Sequence, residues 1–106
     1  SYEDAVARFQ GEERVLKFLR MLPADESLSE LTAAMARGDA CTAFRAAHTI
    51  KGIALNLGLT RLASSASVLT EVLRGKEAMP TEAPELCSEV EHDCAAVLDS
   101  IPQLEA

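Results

Sequence analysis

The sequence predicts an all-α protein: an antiparallel up-and-down four-helix bundle with one or two short additional N-terminal helices. Apolar residues recur at spacings of three and four along the chain, and no segment alternates apolar and polar residues as a half-buried strand would. Aromatic residues make up only 4% of the chain, so the apolar content is mainly aliphatic. Short connections between long amphipathic segments favour antiparallel neighbours, and hence a bundle.

The helices can be placed from their start and stop signals. Ser27 and Glu30 have the Ser-x-x-Glu spacing of a capping box, which predicts a helix start at Ser27. Gly38 and Asp39 combine a helix stop with a new N-cap, and Gly58 and Thr60 are predicted to do the same one helix later. Two short N-terminal helices and four longer ones are predicted, over about residues 2–9, 12–22, 27–37, 40–57, 60–75 and 81–100.

Size and charge restrict the function. At 106 residues, the chain (1–106) is predicted to be a single domain with one core. The formal net charge is −7, whereas a nucleic-acid-binding protein needs a basic stripe, and an anionic membrane would repel the chain. No apolar run approaches the roughly 18–20 residues that span a bilayer, and no signal peptide is recognisable. We therefore expect binding to neither nucleic acid nor membrane. The three cysteines are odd in number and unclustered, which does not suggest a disulfide framework, so we expect a cytoplasmic protein.

The helix over residues 40–57 carries one of only two histidines in an unusual position. At 100° per residue, His48 lies nearly opposite the centre of the apolar face. It is therefore predicted to be exposed, either as an ordinary solvated residue or as a functional one. The apolar face comprises Ala43, Ala46, Ala47, Ile50, Ile53, Ala54 and Leu57.

The neighbours of His48 favour a functional surface. Lys51 and Gly52 follow it by three and four residues and so lie beside it on the helix. Glycine inside a helix costs about 1 kcal/mol relative to alanine. The outward position of Gly52 argues against a helix–helix contact as the reason for this glycine and suggests access for a partner. Further residues are predicted on this side or at its edge, including exposed apolar ones of the kind that mark contact sites: Cys41, Phe44, Arg45 and Leu55.

An exposed imidazole offers a nucleophilic nitrogen at neutral pH and can form a covalent intermediate. The chain contains neither a glycine-rich phosphate loop nor a legible hydrolytic triad. An ATP site and enzymatic activity of its own are therefore not expected. Any group carried by His48 would have to come from another protein.

Residues 48–52, HTIKG, followed by residues 56–58, NLG, resemble the His-x-x-Lys-Gly signature of histidine-containing phosphotransfer (HPt) domains of two-component phosphorelays. The resemblance is strongest from Gly38 to Gly75. It implies that His48 accepts a phosphoryl group on its outer ring nitrogen, that Lys51 offsets the phosphate charge, and that Gly52 gives a receiver access. The residues implied in docking are Phe44, Arg45 and Leu55.

The resemblance also implies partners: the receiver domain of a response regulator and a hybrid sensor histidine kinase. Phosphoryl transfer depends mainly on positioning and electrostatics, and a helix face with one histidine offers few groups that stabilise charge. Mg²⁺ is therefore expected in the receiver, with no cofactor or metal in this chain. We expect a monomer.

Three alternatives remain open. The first is a non-catalytic helical interaction module, a degenerate relative with the same fold, and the second is the phosphoacceptor fragment of a larger sensor or chemotaxis kinase. The third is a metal-binding bundle, for which Cys87, His92 and Cys94 are the nearest candidates in sequence. Cys94 is predicted to belong to the core and His92 to the solvated surface, which argues against a shared zinc site.

Overall fold

The computed structural model describes residues 26–99, which form four α-helices. These are α1 (Glu26–Arg37), α2 (Ala40–Leu57), α3 (Thr60–Leu73) and α4 (Ala83–Asp99). The described part of the chain contains no strand, so the predicted all-α bundle is confirmed. The two predicted N-terminal helices, at about 2–9 and 12–22, lie outside the described residues.

Helices that follow one another in the chain pack against one another. The interface between α2 and α3 is the most extensive, those of α2 with α1 and of α3 with α4 follow, and α1 touches α4 only slightly. Small side chains let these helices approach closely, since alanines make up much of the buried set on α2. The predicted apolar face of α2 is confirmed, because all seven of its members are buried.

Gly38 and Asp39 form the predicted stop and start between α1 and α2. Gly38 has a φ of 71°, in the left-handed region that glycine adopts without strain. The N–H of Asp39 donates to the Ala34 carbonyl at 2.9 Å, which closes α1. The Asp39 carboxylate then accepts from the Thr42 N–H at 3.1 Å and caps α2 as predicted.

Gly58 ends α2 as predicted, again with a φ of 71°. The predicted cap of α3 by Thr60 is wrong, because Thr60 is the first helical residue and Leu59 is the N-cap, without a side-chain hydrogen bond. Leu59 packs partly buried against the core. Tertiary packing of an apolar side chain in this two-residue turn outweighs the local preference for a polar cap.

Two further helix starts differ from the predictions. The described part of α1 is helical from Glu26 onward, so Ser27 lies inside the helix and the predicted capping box is wrong. Helix α4 begins at Ala83 rather than Thr81. Pro84 lies in its first turn, where a missing N–H costs nothing, and it disfavours an earlier helix start.

Candidate functional site

His48 is exposed on α2, as predicted. Ala47, the residue before it in the chain, and Ile50, two residues after it, are fully buried. The imidazole is therefore carried by a helix whose opposite face is anchored in the core. This arrangement fixes the position of the His48 backbone while its side chain faces solvent.

Gly52 lies one turn from His48 on the same open surface and is exposed. Apart from its chain neighbours and the backbone of its own helix, a Cβ atom added there would meet no atom within 4 Å, and the φ of Gly52 is not among the positive values of the three turn glycines. Neither backbone conformation nor packing within the described residues requires glycine at this position. The predicted outward orientation is confirmed.

Lys51 is half-buried and lines a shallow groove between α2 and α3 that has a volume of about 350 Å³. The walls of the groove are mainly apolar or small side chains. Leu55 stands on the α2 side and is 61% exposed. The remaining lining residues are Ala54, Gly58, Leu59, Thr60, Ala63, Ser64 and Ser67.

The His48 ring stacks on Phe44, one turn earlier on α2. The two rings are nearly parallel, with an interplanar angle of 10° and centroids 6.0 Å apart. Phe44 is half-buried and packs against the core. The guanidinium carbon of Arg74, just after α3, lies 5.1 Å from the Phe44 centroid, within the range of a cation–π contact.

Glu71 of α3 completes this cluster. Its carboxylate accepts hydrogen bonds from Arg74 Nε at 3.1 Å and Nη2 at 2.9 Å. These bonds and the guanidinium charge lower the pKa of Glu71, with smaller contributions from Lys51 and His48. Glu71 therefore lies within electrostatic range of two of the predicted site residues, Lys51 and His48.

Sequence reasoning missed Glu71 and Arg74. A signal for them exists, since α2 and α3 are antiparallel and joined by the tight turn at Gly58 and Leu59. Residues at similar distances before and after this turn therefore lie beside one another. Counting outward from the turn pairs the His48 region with the end of α3.

Arg45 is exposed on the same side as His48, but it turns toward the start of the helix. Its Nη2 lies 3.4 Å from Cys41 Sγ, and the Thr49 hydroxyl donates to its carbonyl at 3.0 Å. Of the six residues predicted for the site, the structure joins Phe44 and His48 by a ring contact. Lys51, Gly52 and Leu55 extend the same surface toward the groove.

A family model of the Hpt domain matches residues 17–101. The chain belongs to the Hpt domain family. No curated protein and no solved structure is significantly similar to it. The Hpt match covers all four described helices, and the predicted resemblance to this family is confirmed.

Hpt domains are phosphotransfer modules that interact with receiver and kinase domains of two-component systems. They act as phosphocarriers and are generally not enzymes in their own right. Within residues 26–99 of this Hpt domain, no helix is long and apolar enough to cross a membrane.

The cysteines and the second histidine occupy separate environments in this Hpt domain. Cys87 and Cys94 are buried, and burial raises the pKa of the Cys87 thiol to about 12. His92 is 81% exposed, as predicted, and lies 3.6 Å from Asp93. No group of three metal-ligating side chains occurs in the described part of the chain.

Proposed function

We propose that this Hpt domain is a phosphocarrier that accepts a phosphoryl group on His48 and passes it to or from a receiver aspartate. The observation that carries the proposal is the exposed His48, with Lys51 and an uncovered Gly52 one turn away on a core-anchored helix. Membership of the Hpt family supports the same reaction class.

The transfer step forms one bond and breaks one. The lone pair of His48 Nε2, the outer ring nitrogen, attacks the phosphorus of an aspartyl phosphate. The N–P bond forms as the P–O bond to the aspartate breaks, and that electron pair leaves with the carboxylate. The proton on Nδ1 stays on the ring or passes to solvent, and the reverse step returns the phosphoryl group.

Lys51 and Gly52 have distinct roles in this proposal. Lys51 follows His48 by three residues on α2, and its ammonium group would offset part of the phosphoryl charge. Gly52 leaves the space beside the imidazole open, so that the acidic pocket of a receiver can close over it. The chain supplies a shaped nucleophile, and the receiver supplies Mg²⁺ and most of the charge stabilisation. No cofactor is assigned to this chain.

The docking surface is the exposed side of α2 together with its groove toward α3. Leu55 is the most exposed large apolar side chain among the described residues, which favours a contact with a partner helix. Arg45 and Phe44 extend this surface on the other side of His48. A receiver domain and a hybrid sensor kinase in the cytoplasm are the proposed partners, and the proposed form is a monomer.

Phosphoryl uptake tests the proposal. The parent protein, His48→Gln and the matched control His92→Gln are incubated with phosphoramidate, and separately with a phosphorylated receiver. We expect one acid-labile, base-stable phosphoryl group on the parent and on His92→Gln, measured by intact mass, and none on His48→Gln.

His92 is a suitable control because it is the other histidine of the chain and is exposed on α4. If a folded parent took up no phosphoryl group from either donor, the proposal would be wrong. The chain would then be a docking module. Uptake by His48→Gln would place the acceptor elsewhere.

A further inference from the structure

The His48 ring is the end of a series of contacts that begins on the next helix. Glu71 binds the Arg74 guanidinium with two hydrogen bonds, and Arg74 lies over Phe44. Phe44 in turn stacks on His48. The series therefore crosses from the end of α3 to the exposed surface of α2.

Each contact restrains the next side chain. A guanidinium held by two hydrogen bonds to one carboxylate has a fixed plane. The Phe44 ring is held on its core side by apolar packing. A nearly parallel aromatic neighbour with a centroid 6.0 Å away restrains the plane of the imidazole.

Stacking orients the imidazole without occupying its nitrogens. A hydrogen bond to a ring nitrogen would also fix the ring, but it would engage one of the two atoms that carry the chemistry. A contact through the ring face leaves both nitrogens available to a donor and to solvent. This suits a nucleophile that must meet a phosphorus atom in line.

We propose that Phe44, held by Arg74 and Glu71, is a positioning residue that sets the orientation of the His48 imidazole for phosphoryl transfer. This inference rests on the proposed function of His48. It assigns Phe44 a role within its own chain, separate from its predicted role in docking a partner. A small donor such as phosphoramidate has no protein surface to dock. Uptake from it therefore depends on the positioning role of Phe44 and not on the docking role.

Three substitutions test the role of the stack. Phe44→Leu removes the ring and keeps an apolar side chain, and Phe44→Tyr keeps the ring. Arg74→Lys keeps the charge but removes the planar guanidinium; Arg74 is exposed, so this variant leaves the core intact. Arg61→Lys is the matched control, because Arg61 is an exposed arginine on α3, the helix that Arg74 follows, in the groove toward α4.

The readouts are the uptake rate from phosphoramidate and the NMR signals of the His48 ring protons. We expect Phe44→Leu to slow uptake about tenfold and Arg74→Lys a few-fold, since misplaced reactants lose rate steeply. Phe44→Tyr and Arg61→Lys should stay within about twofold. The His48 ring protons should lose their ring-current shift in Phe44→Leu and retain it in Phe44→Tyr, with circular dichroism reporting an intact fold.

Unchanged uptake from phosphoramidate in Phe44→Leu, with slower transfer only from a receiver, would overturn the inference and leave Phe44 as a docking residue. The inference would also be overturned if the His48 ring-proton signals were the same in Phe44→Leu as in the parent. If the parent itself takes up no phosphoryl group, the proposed function fails. The ring-proton signals then still decide whether Phe44 orients His48.

Discussion

Replacing Gly52 by alanine is predicted to stabilise the fold and to slow exchange with a receiver at the same time. The added Cβ would meet no atom within 4 Å, so it brings neither a clash nor a packing gain. What remains is the helix propensity difference, about 1 kcal/mol in favour of alanine. For a domain of this size, that raises the unfolding midpoint by about 4–8 °C.

Urea and thermal unfolding measure the first part of this prediction. Gly38→Ala is the matched control, because Gly38 also has no atom within 4 Å of an added Cβ but has a φ of 71°. Alanine in that left-handed conformation is expected to cost about 1–2 kcal/mol. The two substitutions therefore add the same methyl group to open space and should change the free energy of unfolding in opposite directions.

Phosphoryl exchange measures the second part. A methyl group beside the imidazole displaces a closely fitting receiver, so we expect Gly52→Ala to slow transfer from the receiver about tenfold. Uptake from phosphoramidate should stay within about twofold, since a small donor is not excluded. A loss of stability would show that Gly52 serves packing. A gain in stability with unchanged receiver transfer would refute its role in access.

Three further predictions concern other parts of the surface and core. Leu55→Ala should leave the free energy of unfolding within about 0.5 kcal/mol, because Leu55 is exposed, and should slow transfer from a receiver but not from phosphoramidate. The pKa of Asp39 is lowered, first by the hydrogen bond from the Thr42 hydroxyl. The ionised carboxylate therefore stabilises the fold above about pH 4, and this contribution is lost as the pH falls through the lowered pKa. Asp39→Asn keeps a cap but does not titrate, so its stability should fall less between neutral and acid pH in urea titrations than that of the parent. In thiol labelling at pH 8, only Cys41 should react in the folded protein, because it is exposed whereas Cys87 and Cys94 are buried. The raised pKa of Cys87 also keeps that thiol protonated. Labelling of more than one cysteine would contradict this prediction.

The face of α2 that carries His48 was predictable because it depends on one helix alone. The 3.6-residue period places a side chain on a wheel without knowledge of the other helices. The helix stops at Gly38 and Gly58 were predictable for the same reason, since a left-handed φ favours glycine locally. The predicted roles of Lys51 and Gly52 stay predictions.

The features that sequence reasoning missed arise between helices. Leu59 replaces Thr60 as the N-cap because its side chain packs against the core, and a local propensity scale does not contain that packing. Glu71 and Arg74 reach Phe44 through the register of two antiparallel helices. Element boundaries and cross-helix contacts are both decided by tertiary packing, whereas helix faces are decided by periodicity.

The pairing of Glu71 with Arg74 also bears on the charge that the site must accept. Glu71 lies within electrostatic range of His48 and Lys51, and an unpaired carboxylate there would repel an incoming phosphoryl group. The Arg74 guanidinium neutralises that carboxylate locally, in a chain whose formal net charge is −7. Under the proposed function, this pairing would leave Lys51 available to the phosphoryl group. In the two proposals, the same arginine would position the aromatic stack and keep the surroundings of His48 compatible with an anionic phosphoryl group, although its residue type alone gave no reason to single it out.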